Sequence, residues 1–185
     1  MRLRKQFGRV AGMVLIAAMF VASAEAQVLN SAAKPISLTA VLNQSLTVTL
    51  SSSAVNFNLT AGSASNPGNT SITATTSWVL NSIIGLVSVY AFFGNANAAL
   101  TDGAGDNIPS AEFQISDNGG AFTALTNTAP FGGANAGLTL ANVLVLGYEK
   151  GSRTDVMKFN INLSPLPALP PGDYTGTLTI QAQAF

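Results

Sequence analysis

Val156-Met157-Lys158-Phe159-Asn160-Ile161-Asn162-Leu163 is the stretch that decides the fold class. Met157, Phe159, Ile161 and Leu163 are apolar, Lys158, Asn160 and Asn162 that alternate with them are polar, and only an extended chain puts such an alternation on two opposite faces. A helix would spread the same apolar residues around its circumference. The stretch therefore reads as a half-buried β-strand.

Working outward, the same period of two recurs. Leu46, Val48 and Leu50 share one face of a strand, as do Val55, Phe57 and Leu59, and then Ile72, Ala74, Thr76, Trp78 and Leu80. The single Trp is the expected centre of the core. Val87, Val89, Ala91 and Phe93 form a further strand, and Tyr90 and Phe92 on its opposite face predict cover on both sides. Phe113 and Ile115, the turn Asp117-Asn118-Gly119-Gly120, and Phe122 and Ala124 read as a hairpin, because Asn-Gly tolerates the positive φ angles of tight hairpin turns. Residues 138–146 are mixed in period and fit either a strand or a short helical turn. The last strand is expected over residues 174–185. At the other end, Ile36, Leu38, Ala40 and Leu42 alternate as a first strand, with a reversal at Asn43-Gln44.

Loops rich in Gly, Pro, Ser and Asn separate these runs, notably at residues 61–68, 94–109 and 130–137. About 8 to 10 short strands with no convincing helix predict an all-β antiparallel sandwich or barrel. An outer-membrane barrel would place apolar residues at alternate positions counted back from Phe185. Those positions are Gln183, Gln181 and Thr179, so the sandwich is preferred.

The N-terminus carries a different signal. Arg2, Arg4, Lys5 and Arg9 precede the apolar run 10–22, and Ala24-Glu25-Ala26 offers small residues where a signal peptidase reads. Residues 1–26 are thus expected to be a signal peptide, 27–35 a flexible segment and 36–185 one sandwich domain. The predicted location is secreted, periplasmic or cell-surface. No later run approaches the roughly 20 apolar residues of a membrane-spanning helix.

From Gln27 onward there is no His and no Cys, and four bases (Lys34, Lys150, Arg153, Lys158) face seven acids. No basic patch for nucleic acid is present. Ser31-Ala32-Ala33-Lys34 and Ser116-Asp117-Asn118 imitate two signatures of serine β-lactamases. Pro35 biases Lys34 away from helical angles, the second motif lies in a hairpin turn, and no K-T-G follows. The chain is not expected to be an enzyme. Asp102, Asp106 and Asn107, on the Gly-rich stretch 102–107, are the candidate calcium loop, since that ion takes several oxygens from a sharply turning chain. No other cofactor is expected. Tyr90, Phe92 and Tyr148 are candidates for an aromatic carbohydrate platform.

Leu169-Pro170-Pro171-Gly172-Asp173-Tyr174-Thr175-Gly176-Thr177-Leu178-Thr179-Ile180 resembles the closing strand, of LPxGxYxGTLTI type, of secreted bacterial sandwich domains of the spore coat protein U and pilin-like group. The resemblance implies an immunoglobulin-like sandwich that assembles into surface coats or fibres, sometimes by donating a strand. The leading expectation is an exported, non-catalytic structural or adhesive subunit that associates with itself or other surface subunits. Its assembly strand would carry Ile36, Leu38, Ala40 and Leu42. The alternative is a secreted carbohydrate- or calcium-binding module.

Overall fold

The computed structural model describes residues 31–147, 150–166 and 168–185. The expected signal peptide, 1–26, lies outside them. The chain groups into two units, Met1–Ala40 and Val41–Phe185. In the first, residues 31–40 have no regular secondary structure and are exposed. The second holds every strand described.

One sheet runs in the order β1 (Ser45–Leu50), β3 (Ile72–Val79), β10 (Lys150–Ile161), β7 (Phe113–Asp117) and β8 (Thr123–Ala124), and β2 (Asn66–Pro67) also pairs with β10. A second sheet runs β11 (Thr179–Ala184), β4 (Ile84–Phe92), β9 (Gly137–Leu146). β5 (Leu100–Thr101) and β6 (Asn107–Ile108) make a small separate ladder. All pairings are antiparallel. The two larger sheets pack as a sandwich and neither closes on itself, which sets the barrel aside. Among the described residues no helix is long and apolar enough to cross a membrane.

β10 is the central strand, and its twelve residues explain the opening stretch. Met157, Phe159 and Ile161 are buried on its inner face while Lys158 is exposed. β3 beside it alternates buried and half-buried over its whole length. At the heart of the sandwich, Phe113 meets Phe93, Phe57 and Phe159 with ring centroids 5.1, 5.8 and 5.9 Å away. The hairpin turn forms as its residues dictate: Asn118 and Gly119 take φ of 48° and 79°.

Four expectations are corrected. No strand is assigned over residues 31–44, and Ile36, Leu38 and Leu42 are 82%, 89% and 84% exposed, with Ala40 exposed too. The alternation there is real, but among the described residues no strand pairs with it. Val55, Phe57 and Leu59 do pack on the core, yet their backbone is irregular apart from one bridge between Phe57 and Gly68. The last strand begins at Thr179 rather than residue 174. Trp78 is buried, but with Leu80, Val87 and Val145 in a satellite cluster, not at the main core. Gly151 permits this, because a Cβ there would lie 2.6 Å from the indole.

Residues 138–146 prove to be strand. Their mixed period comes from a bulge opposite Val89/Tyr90, which switches the faces of the residues on either side of it.

Candidate functional site

Among the described residues, a groove of about 980 Å³ runs along one side of the sandwich. It arises because β1 ends at Leu50 and β11 starts only at Thr179, so two irregular segments stand where a sandwich edge would close. Val55, Phe57 and Leu59 line one bank and Leu169, Tyr174 and Leu178 the other. Ile72, Phe113, Met157 and Phe159 line it between the banks, so the groove opens directly on the main core. Among the described residues, the backbone N–H and C=O groups of Gly176, Thr177 and Leu178 make no hydrogen bond. Unpaired peptide groups beside an apolar trough are what an added strand uses.

The second bank is held in place by tight local contacts. Thr175 exchanges two 2.9 Å backbone hydrogen bonds with Thr101. At the next residue, a Cβ on Gly176 would collide with the carbonyl oxygen of Ala99, so only glycine fits. The Tyr174 hydroxyl donates to the carbonyl oxygen of Pro170 at 2.9 Å, anchoring the ring at the groove wall. The Pro-Pro-Gly-Asp-Tyr stretch therefore builds a bank before it becomes a strand.

A polar layer closes the other end of the main core. The inner face of β10 continues from Met157 to Asp155 and Arg153, and Asp155 is fully buried. Its Oδ1 accepts from Arg153 Nε at 2.7 Å and from Asn118 Nδ2 at 3.1 Å, and Arg153 Nη2 lies 2.6 Å away as an ion pair. Arg153 Nη2 also lies 3.6 Å from Asp117 Oδ2. Asn118 Oδ1 accepts the Val156 N–H at 2.9 Å, which ties the hairpin turn to β10. Asp155 Oδ2 and Asp117 Oδ1 are both buried without a partner among the described residues. Their parity with Met157 and Ile115 was the signal that places these charges on the inner face.

Burial pushes the Asp117 carboxyl up, the negative charge of Asp155 adds to this, and Arg153 and Asn118 oppose it. An acid whose native pKa exceeds its unfolded value binds its proton more tightly in the native state. Stability is then greatest below the unfolded value and falls as pH rises towards the native one. Asp117→Asn is expected to flatten that decline as pH rises above the unfolded carboxylate value, read as the urea midpoint across pH. An unchanged pH profile would remove Asp117 from the account.

The candidate calcium loop has an internal use for its first acid. Asp102 Oδ1 accepts the backbone N–H groups of Ala104, Gly105 and Asp106 at 2.8, 3.1 and 3.0 Å. These bonds, with Ala104 contributing most, hold the Asp102 carboxyl below its usual range. Asn107 Nδ2 donates to the Gly105 carbonyl at 3.1 Å. Among the described residues no three Asp or Glu side chains gather as a metal site.

The aromatic platform is not formed as expected. Tyr90 and Phe92 are buried, with the Phe131 ring edge-on to Tyr90 and tilted against Phe92 at centroid distances of 6.1 and 6.0 Å, and Tyr148 lies outside the described residues. Ser31 and Lys34 are exposed without secondary structure, whereas Ser116 is buried in β7 and donates to the Gly120 carbonyl at 2.6 Å. No protein-family model matches the chain, and no curated protein matches it.

Proposed function

We propose that the protein is an exported, non-catalytic surface subunit whose groove receives residues 36–42 of a second copy as an added strand. The observation that carries this reading is a pairing of opposites in one chain. Among the described residues, an apolar trough is flanked by backbone at residues 176–178 that makes no hydrogen bond, and an alternating apolar segment at 36–42 pairs with no strand. Ile36, Leu38, Ala40 and Leu42 would enter every second position, about 6.6 Å apart along an extended chain. The donor's Ser37, Thr39 and Val41 would face outward.

Several features support a structural role rather than a chemical one. Residues 27–185 contain neither His nor Cys, so nucleophilic and acid–base chemistry lose their commonest side chains. Head-to-tail donation need not close on itself, and an open series of such contacts builds chains of subunits. Signal-directed export, read from residues 1–26, would deliver the subunits outside the cytoplasm.

Light scattering and electron microscopy of the exported protein test this. Linear multimers are expected from the unaltered chain. Leu38→Asp should abolish the linear multimers and leave folded protein no larger than a dimer, because a carboxylate cannot enter the apolar trough without a partner. Persistence of the same multimers in Leu38→Asp would refute the donated segment.

A further inference from the structure

The outer face of the β11-β4-β9 sheet is divided into two halves with different fates. In one half, Tyr90 and Phe92 are covered by Phe131 from the loop before β9. In the other half nothing among the described residues covers the apolar side chains. Leu86 stands directly opposite Leu144, and Ile84 opposite Leu146, across the β4–β9 ladder. On the other flank, Phe185 and Leu86 exchange backbone hydrogen bonds of 3.0 and 3.3 Å. Cross-strand neighbours of this kind lie about 5 Å apart, so the five side chains form one continuous field. Their exposures are 67% for Ile84, 36% for Leu86, 62% for Leu144, 59% for Leu146 and 64% for Phe185.

Single exposed apolar residues are ordinary, but a contiguous field over three strands marks an interaction surface. We propose that this face is a two-fold interface with a second copy of the same chain. Charge favours that occupant: β4, β9 and β11 contain no Asp, Glu, Lys or Arg, so two identical faces meet without repulsion. A partner selected by complementary charge would find nothing to read here. Beyond the apolar field lies an uncharged polar row, in which Ser88 Oγ donates to Asn142 Oδ1 at 2.7 Å and Gln183 stands opposite Ser88. Such a row forms the rim that bounds an apolar interface core.

Exposure is consistent with the same occupant. All five residues are at least 36% exposed, so stacking two such faces would take apolar surface from water at each of them on both copies. Sheets stack face to face about 10 Å apart with strands inclined by about 30°, which brings the Leu86–Leu144 row of each copy over that of the other. This surface lies on the outside of one sheet, whereas the groove opens on the core between the sheets. The two contacts are therefore independent, one extending a chain of subunits and one pairing chains laterally.

The chain lacks cysteine, so single introduced thiols report this contact directly. The test uses the exported full chain bearing Leu38→Asp, which silences strand donation. In that background the protein is expected to be a dimer by light scattering, and Leu144→Cys is expected to give a disulfide-linked dimer on mild oxidation. Thr47→Cys, exposed on β1 of the other sheet, is the control and should stay unlinked. Leu144→Glu should halve the mass. A monomer at every concentration, crosslinking of Leu144→Cys no better than Thr47→Cys, or crosslinking only to a different protein would each overturn the proposal. The cysteine readout stands whether or not the glutamate variant folds.

Discussion

Phe113→Ala is expected to destabilise the domain by about 3–5 kcal/mol, the cost of deleting a large buried aromatic from a packed core. Phe113 is the ring on which Phe57, Phe93 and Phe159 converge, so its loss opens a cavity between both sheets and beneath the groove. The cost is a sizeable share of the roughly 5–15 kcal/mol that holds a domain together. Lys158→Ala, on the outer face of the neighbouring strand β10, is expected to change stability by less than about 0.5 kcal/mol. Urea unfolding of both variants checks this. Equal losses would mean that the inner and outer faces of the first sheet have been exchanged.

Arg153→Ala is the second large effect, and it works through charge rather than volume. Removing the guanidinium leaves the Asp155 carboxylate fully buried with only the Asn118 amide to satisfy it. Breaking a buried ion pair from one side costs about 3–5 kcal/mol. Arg153 is one-third exposed, so solvent screening places the expected loss near the lower figure, about 3 kcal/mol. The double variant Arg153→Ala/Asp155→Ala should recover much of it, because no charge is then left behind. Failure of the double variant to recover stability would assign the loss to packing of the arginine stem instead.

The strands that sequence reveals are those whose two faces meet different surroundings. Residues 157–163 and 72–79 are half-buried, so polarity alternates with the pleat and their positions could be read directly. Residues 138–146 were ambiguous because a bulge exchanges the faces midway, and no local propensity marks a bulge. Trp78 was misplaced for a different reason. Size predicts burial, not which cluster does the burying, and the polar layer of Asp155, Arg153 and Asp117 that separates the two clusters depends on pairing between distant strands. The groove has the same origin. The alternation at residues 55–59 and 174–178 correctly predicts sides that touch the core, but whether a neighbour pairs their backbone is decided by the rest of the chain. The segment at residues 36–42 shows the converse, a strand pattern without a strand, and that mismatch is what turns an ordinary sandwich into a proposed acceptor and donor.

The most direct test of the groove reading is a disulfide between donor and acceptor in this cysteine-free chain. Leu38→Cys and Leu178→Cys would be combined in the exported protein, oxidised mildly and resolved by mass with and without reductant. Donation between copies predicts a reducible ladder of dimers, trimers and larger multimers that neither single variant produces beyond a dimer. A monomer carrying an internal disulfide, or no crosslink at all, would contradict it.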